Sequence, residues 1–164
     1  NAYYIGAIKA RNYCAAVAGK PALPVKELES AFINAFYDQE RALFIDSETT
    51  THSALHSNVF PLFFGIGGDK RLRQNTLDLI REKRLACCNI FGSFPLLALL
   101  KRWKEEELMK ELILSDEAMG RMLNEGATAT MEAWGKDLKW NTALFHLTFS
   151  AMLIFFTDYE FPVY

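Results

Sequence analysis

The 164-residue sequence has few cysteines, and this shortage excludes several kinds of stabilising site. The three cysteines are Cys14, Cys87 and Cys88, an odd number with one adjacent pair and no CxxC spacing. This set fits neither a disulfide framework nor a zinc knuckle, and reduced, buried thiols are its ordinary interpretation. We therefore expect a reducing compartment and a cytoplasmic location.

The sequence also lacks a strong charge of one sign and a long apolar run. Its net charge is −2, and no face rich in lysine and arginine stands out, so nucleic acid is not an expected partner. The longest apolar run, Phe145 to Phe156, is too short and too interrupted to span a bilayer, so no membrane association is expected. The start shows no cleavable signal pattern, and opening on Asn1 is what we expect of a mature form or an excised piece.

What the sequence does contain is a helical period. Apolar residues recur mostly at spacings of three and four, which predicts seven or eight helices joined by short turns, with almost no sheet. No linker, low-complexity tract or strict repeat appears, so residues 1–164 are expected to form one helical domain. The third, fifth and last helices are apolar on more than one face, which favours neighbours on two sides. The predicted fold is all-α, with antiparallel helical hairpins forming part of a toroid.

Helix faces and ends follow from the same pattern. The first predicted helix ends near Gly19, and the second begins at Pro24. The expected buried face of the first helix consists of Tyr4, Ala7, Ile8, Ala15 and Ala18. That of the second helix consists of Val25, Leu28, Phe32, Ala35 and Phe36. The third predicted helix is bent or broken at Pro61 and closed by Gly67 and Gly68. Asp69 and Ser115 are predicted N-caps of later helices. The last helix is expected to run from about Asn141 to Phe156.

One segment does not read as a good helix and carries a charge among apolar residues. In "GATATMEAW", Glu132 lies between Met131 and Trp134, after a run of small and β-branched residues. A carboxylate in such a position is costly to bury unless something uses it. One reading is a partly exposed surface residue. The other is a general base held in a loop near an indole ring, fixed and partly desolvated.

Three stretches of the sequence resemble a known family. "NEGATATMEAWGKDLKWNTALFHLTFSA" is similar to the segment of bacterial α-L-rhamnosidases that reads roughly E-G-A-T-T-x-x-E-x-W, followed by K-x-N-T-S and a histidine. "DSETTTHSALHSNVFPLFFGI" resembles the family's H-S-S-L-H-A-N stretch ahead of an apolar helix, and "REKRLACCNIFGSFPLLALL" looks similar as well. The likeness extends from Asn1 to about His146.

The resemblance implies an (α/α)6 barrel of the six-hairpin glycosidase type that hydrolyses rhamnose-containing glycosides with inversion. One acidic residue would protonate the leaving oxygen, and a second carboxylate would activate water on the opposite face. By position, Glu132 matches the general base. His146 matches a sugar-contacting histidine, Trp134 belongs to the motif and would wall the site, and His56 is a further candidate for a sugar contact.

The sequence differs from the family pattern in three places. His146 is followed by Leu147 and Thr148, where the family has His-Pro-Trp. The Asp- and Glu-rich block that supplies the family's acid is not present, and a full barrel needs twelve helices. We therefore expect a truncated or partial catalytic domain, inactive alone, with an open apolar surface that leads to homo-oligomers or pairing with another chain.

The remaining motifs point to no cofactor. His52 and His56 are four residues apart on a predicted helix, a spacing that suits a metal, but no third ligand lies at a zincin spacing. Structural or substrate-proximal histidines are the preferred reading, so no metal and no cofactor are expected. The alternative function is a non-catalytic helical module that self-associates or binds a partner protein.

Overall fold

The computed structural model describes residues 1–158, and this part of the chain is helical. Helices make up 58% of it, and the described strands are one two-residue pair, so the all-α prediction is confirmed. The chain divides into two compact units, Asn1–Leu79 and the part from Ile80 onward. None of the helices within residues 1–158 combines the length and the apolarity needed to cross a membrane.

The first unit begins with two helices, α1 (Ala2–Val17) and α2 (Lys26–Phe36). They pack with α3 (Leu55–Phe63) around a small core of Ile5, Phe64 and Ile66. The predicted face of α2 is its less exposed side, although none of its residues is fully buried.

The predicted face of α1 was partly wrong. The buried residues of α1 are Ile5, Gly6 and Ala15, whereas Tyr4 and Ala7 are exposed. The reason is the close approach of Phe64, whose ring would lie 2.3 Å from a Cβ placed on Gly6. The missing side chain of Gly6 therefore decides which side of α1 faces the core.

The two short strands, β1 (Tyr37–Asp38) and β2 (Leu43–Phe44), pair antiparallel between α2 and α3. Asn58, fully buried on α3, links α3 to this hairpin. Its Oδ1 accepts the Phe44 N–H at 2.8 Å, and its Nδ2 donates to the Ser53 hydroxyl and the Ala54 carbonyl, both at 2.9 Å. Buried amides require such partners, so Asn58 fixes the start of α3 against β2.

Helix α3 ends differently from the prediction. Pro61 lies inside the helix, which continues to Phe63, so it does not break there. Gly65 takes a left-handed conformation with φ 71°. The Gly65 N–H donates to the Leu62 carbonyl at 3.0 Å, and the Ile66 N–H donates to the Pro61 carbonyl at 2.8 Å. This Schellman motif closes the helix, so Gly65 takes the role predicted for Gly67 and Gly68.

Helix α4 (Lys70–Lys83) matches the prediction and continues from the first unit into the second. The predicted cap is confirmed, because Asp69 Oδ1 accepts the N–H groups of Arg71 at 2.9 Å and Leu72 at 3.0 Å. Leu72, Leu77 and Ile80 form the buried stripe of the helix.

The second unit contains a 3₁₀ turn (Leu85–Cys87), α5 (Ile90–Arg102), α6 (Glu106–Leu114) and α7 (Met119–Asn124), followed by a 3₁₀ stretch (Leu147–Phe156). Asn89 caps α5 by accepting the Gly92 N–H at 3.2 Å. Helix α5 is buried on more than one side, as predicted, since α6 and the Leu147–Phe156 stretch both pack against it.

Two predicted boundaries in this unit were wrong. Ser115 does not cap α7: its hydroxyl donates to the Leu112 carbonyl at 2.9 Å, and α7 begins at Met119. The last predicted helix begins at Leu147 rather than near Asn141, and its turns are 3₁₀. Residues 143–146 are instead held by pairing with residues 130–132.

Candidate active site

The segment around Glu132 is irregular and is bonded to the chain before the Leu147–Phe156 stretch. The Glu132 N–H donates to the Ala143 carbonyl at 2.9 Å, and the His146 N–H donates to the Thr130 carbonyl at 2.7 Å. β-Branched residues such as Thr128 and Thr130 suit such pairing better than a helix. The prediction of a loop or irregular strand here is confirmed, and the pairing brings Glu132 near His146.

Two donors fix the carboxylate of Glu132. Lys139 Nζ donates to Oε1 at 2.5 Å, and the Ala143 backbone N–H donates to Oε2 at 3.2 Å. The side chain is 33% exposed, and the Lys139 side chain is 40% exposed. The carboxylate is therefore held in position and partly open to solvent, with lone pairs left to accept further hydrogen bonds.

The same donors hold Glu132 in its ionised form. The hydrogen bond from Lys139 is the largest influence and lowers the pKa of the carboxyl group, and the Ala143 N–H and the charges of Lys139 and His146 lower it further. Desolvation acts in the opposite direction and is outweighed. Partial desolvation of this carboxylate was expected from the sequence, and Lys139 is a cationic partner that compensates for its cost.

Trp134 is a buried anchor in the same segment. Its side chain is 3% exposed, and Nε1 donates to the Cys88 carbonyl at 2.6 Å. The indole ring lies 4.3 Å from the ring of Phe149, centroid to centroid, at 48°. The N–H of a buried indole needs a partner, and this one ties the Glu132 segment to the residues just before α5.

His146 is half-buried at the N-terminal end of the Leu147–Phe156 stretch. Its Nδ1 is buried and forms no hydrogen bond with the described residues. A buried ring nitrogen without a partner is energetically costly.

Glu132, Trp134 and His146 line one cavity of about 620 Å³. The other walls come from residues 86–91 and from Leu138, Lys139, Thr148 and Phe149, all in the second unit. Glu132 is the one carboxylate among the described residues that line this cavity. Its size is in the range of small-molecule sites.

His56 lies in the first unit and is not among the residues that line this cavity. It is on α3, with its ring 5.4 Å from that of Phe60, and it lines a smaller cavity of about 140 Å³ together with Asp46 and Ser57. Its role as a sugar contact stays a prediction.

The other histidine of the predicted pair, His52, bonds through Nδ1 to the Asp46 carboxylate. Asp46 also accepts hydrogen bonds from the Ser57 hydroxyl and, at 2.8 Å, from the Ala54 N–H. Burial would raise the pKa of Asp46, but these hydrogen bonds lower it below its usual value. Within residues 1–158, no three His, Cys, Asp or Glu side chains come together as a metal site would require.

Lys139, Cys87 and Cys88 also line the cavity, although none of them was predicted as a site residue. Lys139 stands in the K-x-N-T part of the motif, which was a signal for it. The cysteines form an adjacent pair about 45 residues before Glu132, and no sequence pattern connects the two.

Comparison with known proteins gives one match. The family model described as the bacterial alpha-L-rhamnosidase 6 hairpin glycosidase domain matches residues 1–159. No curated protein and no solved structure matches the chain. Because the match covers nearly the whole length, the chain belongs to the bacterial alpha-L-rhamnosidase six-hairpin glycosidase domain family.

Proposed function

We propose that the chain carries the water-activating part of an inverting α-L-rhamnosidase site, with Glu132 as the general base. The observation that carries this proposal is the carboxylate of Glu132, fixed by Lys139 and the Ala143 N–H in the wall of a cavity of about 620 Å³. A general base must be ionised before the reaction, and the lowered pKa of Glu132 meets this condition.

The proposed step follows from the chemistry of inversion. Glu132 accepts a proton from a water molecule while the water oxygen bonds to the anomeric carbon of rhamnose. The bond to the leaving oxygen breaks on the opposite face, and a carboxylic acid protonates that oxygen. Lys139 and the Ala143 N–H occupy only part of the carboxylate's accepting capacity, so a water molecule has a lone pair to use.

Two neighbours support a sugar in this cavity. The His146 side chain lines the cavity, where it can contact a bound sugar. Trp134 is tied down by its own N–H, so its contribution is a rigid apolar wall rather than a hydrogen bond. The expected ligand is a rhamnose-containing glycoside, in keeping with the family.

Inversion also requires a general acid, the second carboxyl group of the catalytic pair. Inverting glycosidases place their two carboxyl groups roughly 6.5–9.5 Å apart, and the described lining of this cavity supplies Glu132 alone. We therefore propose that the 164-residue chain does not hydrolyse glycosides by itself and that activity requires a second carboxylate brought to this cavity.

The test uses an aryl α-L-rhamnoside and a protein that contains this segment together with a complete carboxylate pair. Glu132→Gln keeps the shape of the side chain and removes the base, so we expect turnover to fall by about 10²–10⁴-fold with an unchanged fold. Glu125→Gln is the matched control, since Glu125 is paired with Arg121 and does not line the cavity.

A small anion provides a second measurement. In Glu132→Ala, azide should restore cleavage by attacking the anomeric carbon in place of activated water and should give the inverted glycosyl azide. Near-normal hydrolysis by Glu132→Gln, or clear hydrolysis by the 164-residue chain alone, would show that the roles are misassigned.

A second candidate function rests on a different observation. Trp140 is 96% exposed and Phe145 is 71% exposed, and large exposed apolar side chains of this kind are typical of surfaces that bind another protein. The alternative is therefore a non-catalytic helical module. L-rhamnose binding that depends on His146 would favour the glycosidase proposal, whereas no sugar binding with clear self-association would favour the module.

A further inference from the structure

The cavity that Glu132 lines also contains two adjacent thiols. Cys87 and Cys88 both belong to its wall, and their Sγ atoms are 3.7 Å apart. Cys87 is exposed, whereas Cys88 is 2% exposed. The glycosidase proposal uses neither thiol, so the pair needs a separate account.

The positions of the two sulfurs make them chemically unequal. The 3₁₀ turn Leu85–Cys87 presents the Cys87 Sγ to solvent, where the thiol donates to the Arg84 carbonyl at 3.2 Å. The Cys88 Sγ points to the Cys87 Sγ from the buried side, so its S–H group is placed to donate a hydrogen bond to a thiolate at Cys87. The exposed sulfur is thus the one that a reagent can reach.

The surroundings of the pair favour the Cys87 thiolate on balance, although partial burial of the sulfur opposes it. The hydrogen bond from Cys88 is the largest influence and lowers the pKa of Cys87 to about 7, and Lys83 at the end of α4 lowers it further. The pKa of Cys88 is raised by its bond to Cys87 and by burial. The other charged groups in the wall, Glu132 and Lys139, are paired with each other.

We infer that Cys87 is a modification site for small disulfides, that Cys88 positions and stabilises its thiolate, and that the resulting adduct occupies the Glu132 cavity. In this reaction the Cys87 sulfur attacks one sulfur of a disulfide R–S–S–R. A new S–S bond forms, the reagent's S–S bond breaks, and R–S⁻ leaves with the electron pair and takes a proton from water. Cys87 is oxidised, and half of the reagent is reduced.

This inference goes beyond the proposed glycosidase function and does not depend on it. Cys88 is buried and keeps its proton, so it is a poor attacking group, and a mixed disulfide at Cys87 should persist. Glycosidase activity is therefore not used as a readout.

The first experiment identifies the adduct. The 164-residue chain carrying Cys14→Ser is incubated with glutathione disulfide at pH 7 and analysed by intact mass and peptide mapping. We expect one added glutathione, on Cys87, and none when Cys87→Ser is introduced. No adduct, an adduct on Cys88, or a loss of two hydrogens without an adduct would overturn the inference.

The second experiment tests the role of Cys88 with two variants. Cys88→Ser keeps a hydrogen-bond donor, and Cys88→Ala removes it. At pH 7 we expect Cys88→Ala to slow the reaction about fivefold, because the thiolate fraction falls about fiftyfold while the nucleophilicity of each thiolate rises about tenfold.

The pH dependence gives a second readout for the same variants. The midpoint of the rate should move upward in Cys88→Ala and stay near that of the parent in Cys88→Ser. Far-UV circular dichroism shows whether each variant folds. Equal rates and equal midpoints for the two folded variants would remove Cys88 from the proposal.

The third experiment locates the adduct. Trp134 lines the cavity, whereas Trp140 is 96% exposed and does not line it. On glutathionylation we expect the indole N–H resonance of Trp134 to shift and that of Trp140 to stay in place. An unchanged Trp134 resonance would show that the adduct lies outside the cavity.

Discussion

At the scale of single residues, the ion pair between Lys139 and Glu132 is the contact that sets the charge state of the cavity. Lys139 Nζ donates to Glu132 Oε1 at 2.5 Å, and this bond is the largest cause of the lowered pKa. A second carboxylate in the same part of the chain, Glu125, is held in the same way by Arg121 Nε at 2.8 Å. The two pairs allow each to serve as a control for the other.

We expect Lys139→Gln to raise the pKa of Glu132 toward its ordinary value, because the positive charge and the charge-assisted hydrogen bond of Lys139 are lost. The pKa of Glu125, which is lowered chiefly by Arg121, should not change in this variant. Arg121→Gln should give the reverse pattern. Carboxyl carbon NMR titration of both variants measures the four values, and an unmoved Glu132 in Lys139→Gln would contradict the assignment.

The sign of the pH effect on stability follows from the same shift. A carboxyl group with a lowered pKa in the folded state contributes stability above its unfolded pKa, and that contribution is lost as the pH falls through the folded pKa. Lys139→Gln should therefore show a smaller loss of stability on acidification below the ordinary Glu range than the parent chain.

At the scale of helices, α3 and α5 end with the same motif but with different residues at its left-handed position. In α3 this residue is Gly65, with φ 71°. In α5 the left-handed residue is Lys104, with φ 62°. The Lys104 N–H donates to the Lys101 carbonyl at 3.1 Å, and the Glu105 N–H donates to the Leu100 carbonyl at 2.9 Å. Only glycine takes this conformation without a steric cost.

The two ends give a matched pair of substitutions. Lys104→Gly should stabilise the fold by about 0.5–1 kcal/mol through relief of the left-handed strain, and Gly65→Ala should destabilise it by about 1 kcal/mol. Urea unfolding followed by circular dichroism gives both values. A change of the same sign in both variants would show that the caps do not control these ends.

Local signals predicted some elements and not others. The start of α4 was predicted from the sequence, because its cap is a local contact between Asp69 and the N–H groups of Arg71 and Leu72. The last helix was placed too early because "TALFH" is apolar, yet Ala143 and His146 are bonded to Glu132 and Thr130. That pairing is a tertiary contact, and no local propensity encodes it.

At the scale of the whole molecule, the sequence predicted the residues of the motif but not all of the residues that line the cavity. The resemblance singled out Glu132, Trp134 and His146, and these three line the same cavity. Cys87 and Cys88, which also line it, come from a distant part of the chain and could not be assigned to the site from the sequence. Lys139 belongs to the motif, but its role as the partner of Glu132 follows from the distance between the two side chains and not from the sequence.

The apolar surface of the 138–147 loop is the feature that bears on assembly. Its exposed large apolar residues are Leu138, Trp140, Leu144, Phe145 and Leu147, all more than half exposed. Large contiguous apolar patches are rare on monomers, and these five side chains all come from one short segment. This surface is the reason to expect association with a second copy of the chain.

We expect the 164-residue chain to show concentration-dependent association in sedimentation velocity. The double variant Trp140→Ser, Phe145→Ser should weaken this association at least tenfold. A loss of about 1.4 kcal/mol of apolar burial is enough to give that factor. Val17→Ser is the control, since Val17 is 79% exposed on α1 and lies outside the loop. It should leave association unchanged. A parent chain that stays monomeric at high concentration would refute the expectation, and equal weakening by Val17→Ser would show that the association surface is not the 138–147 loop.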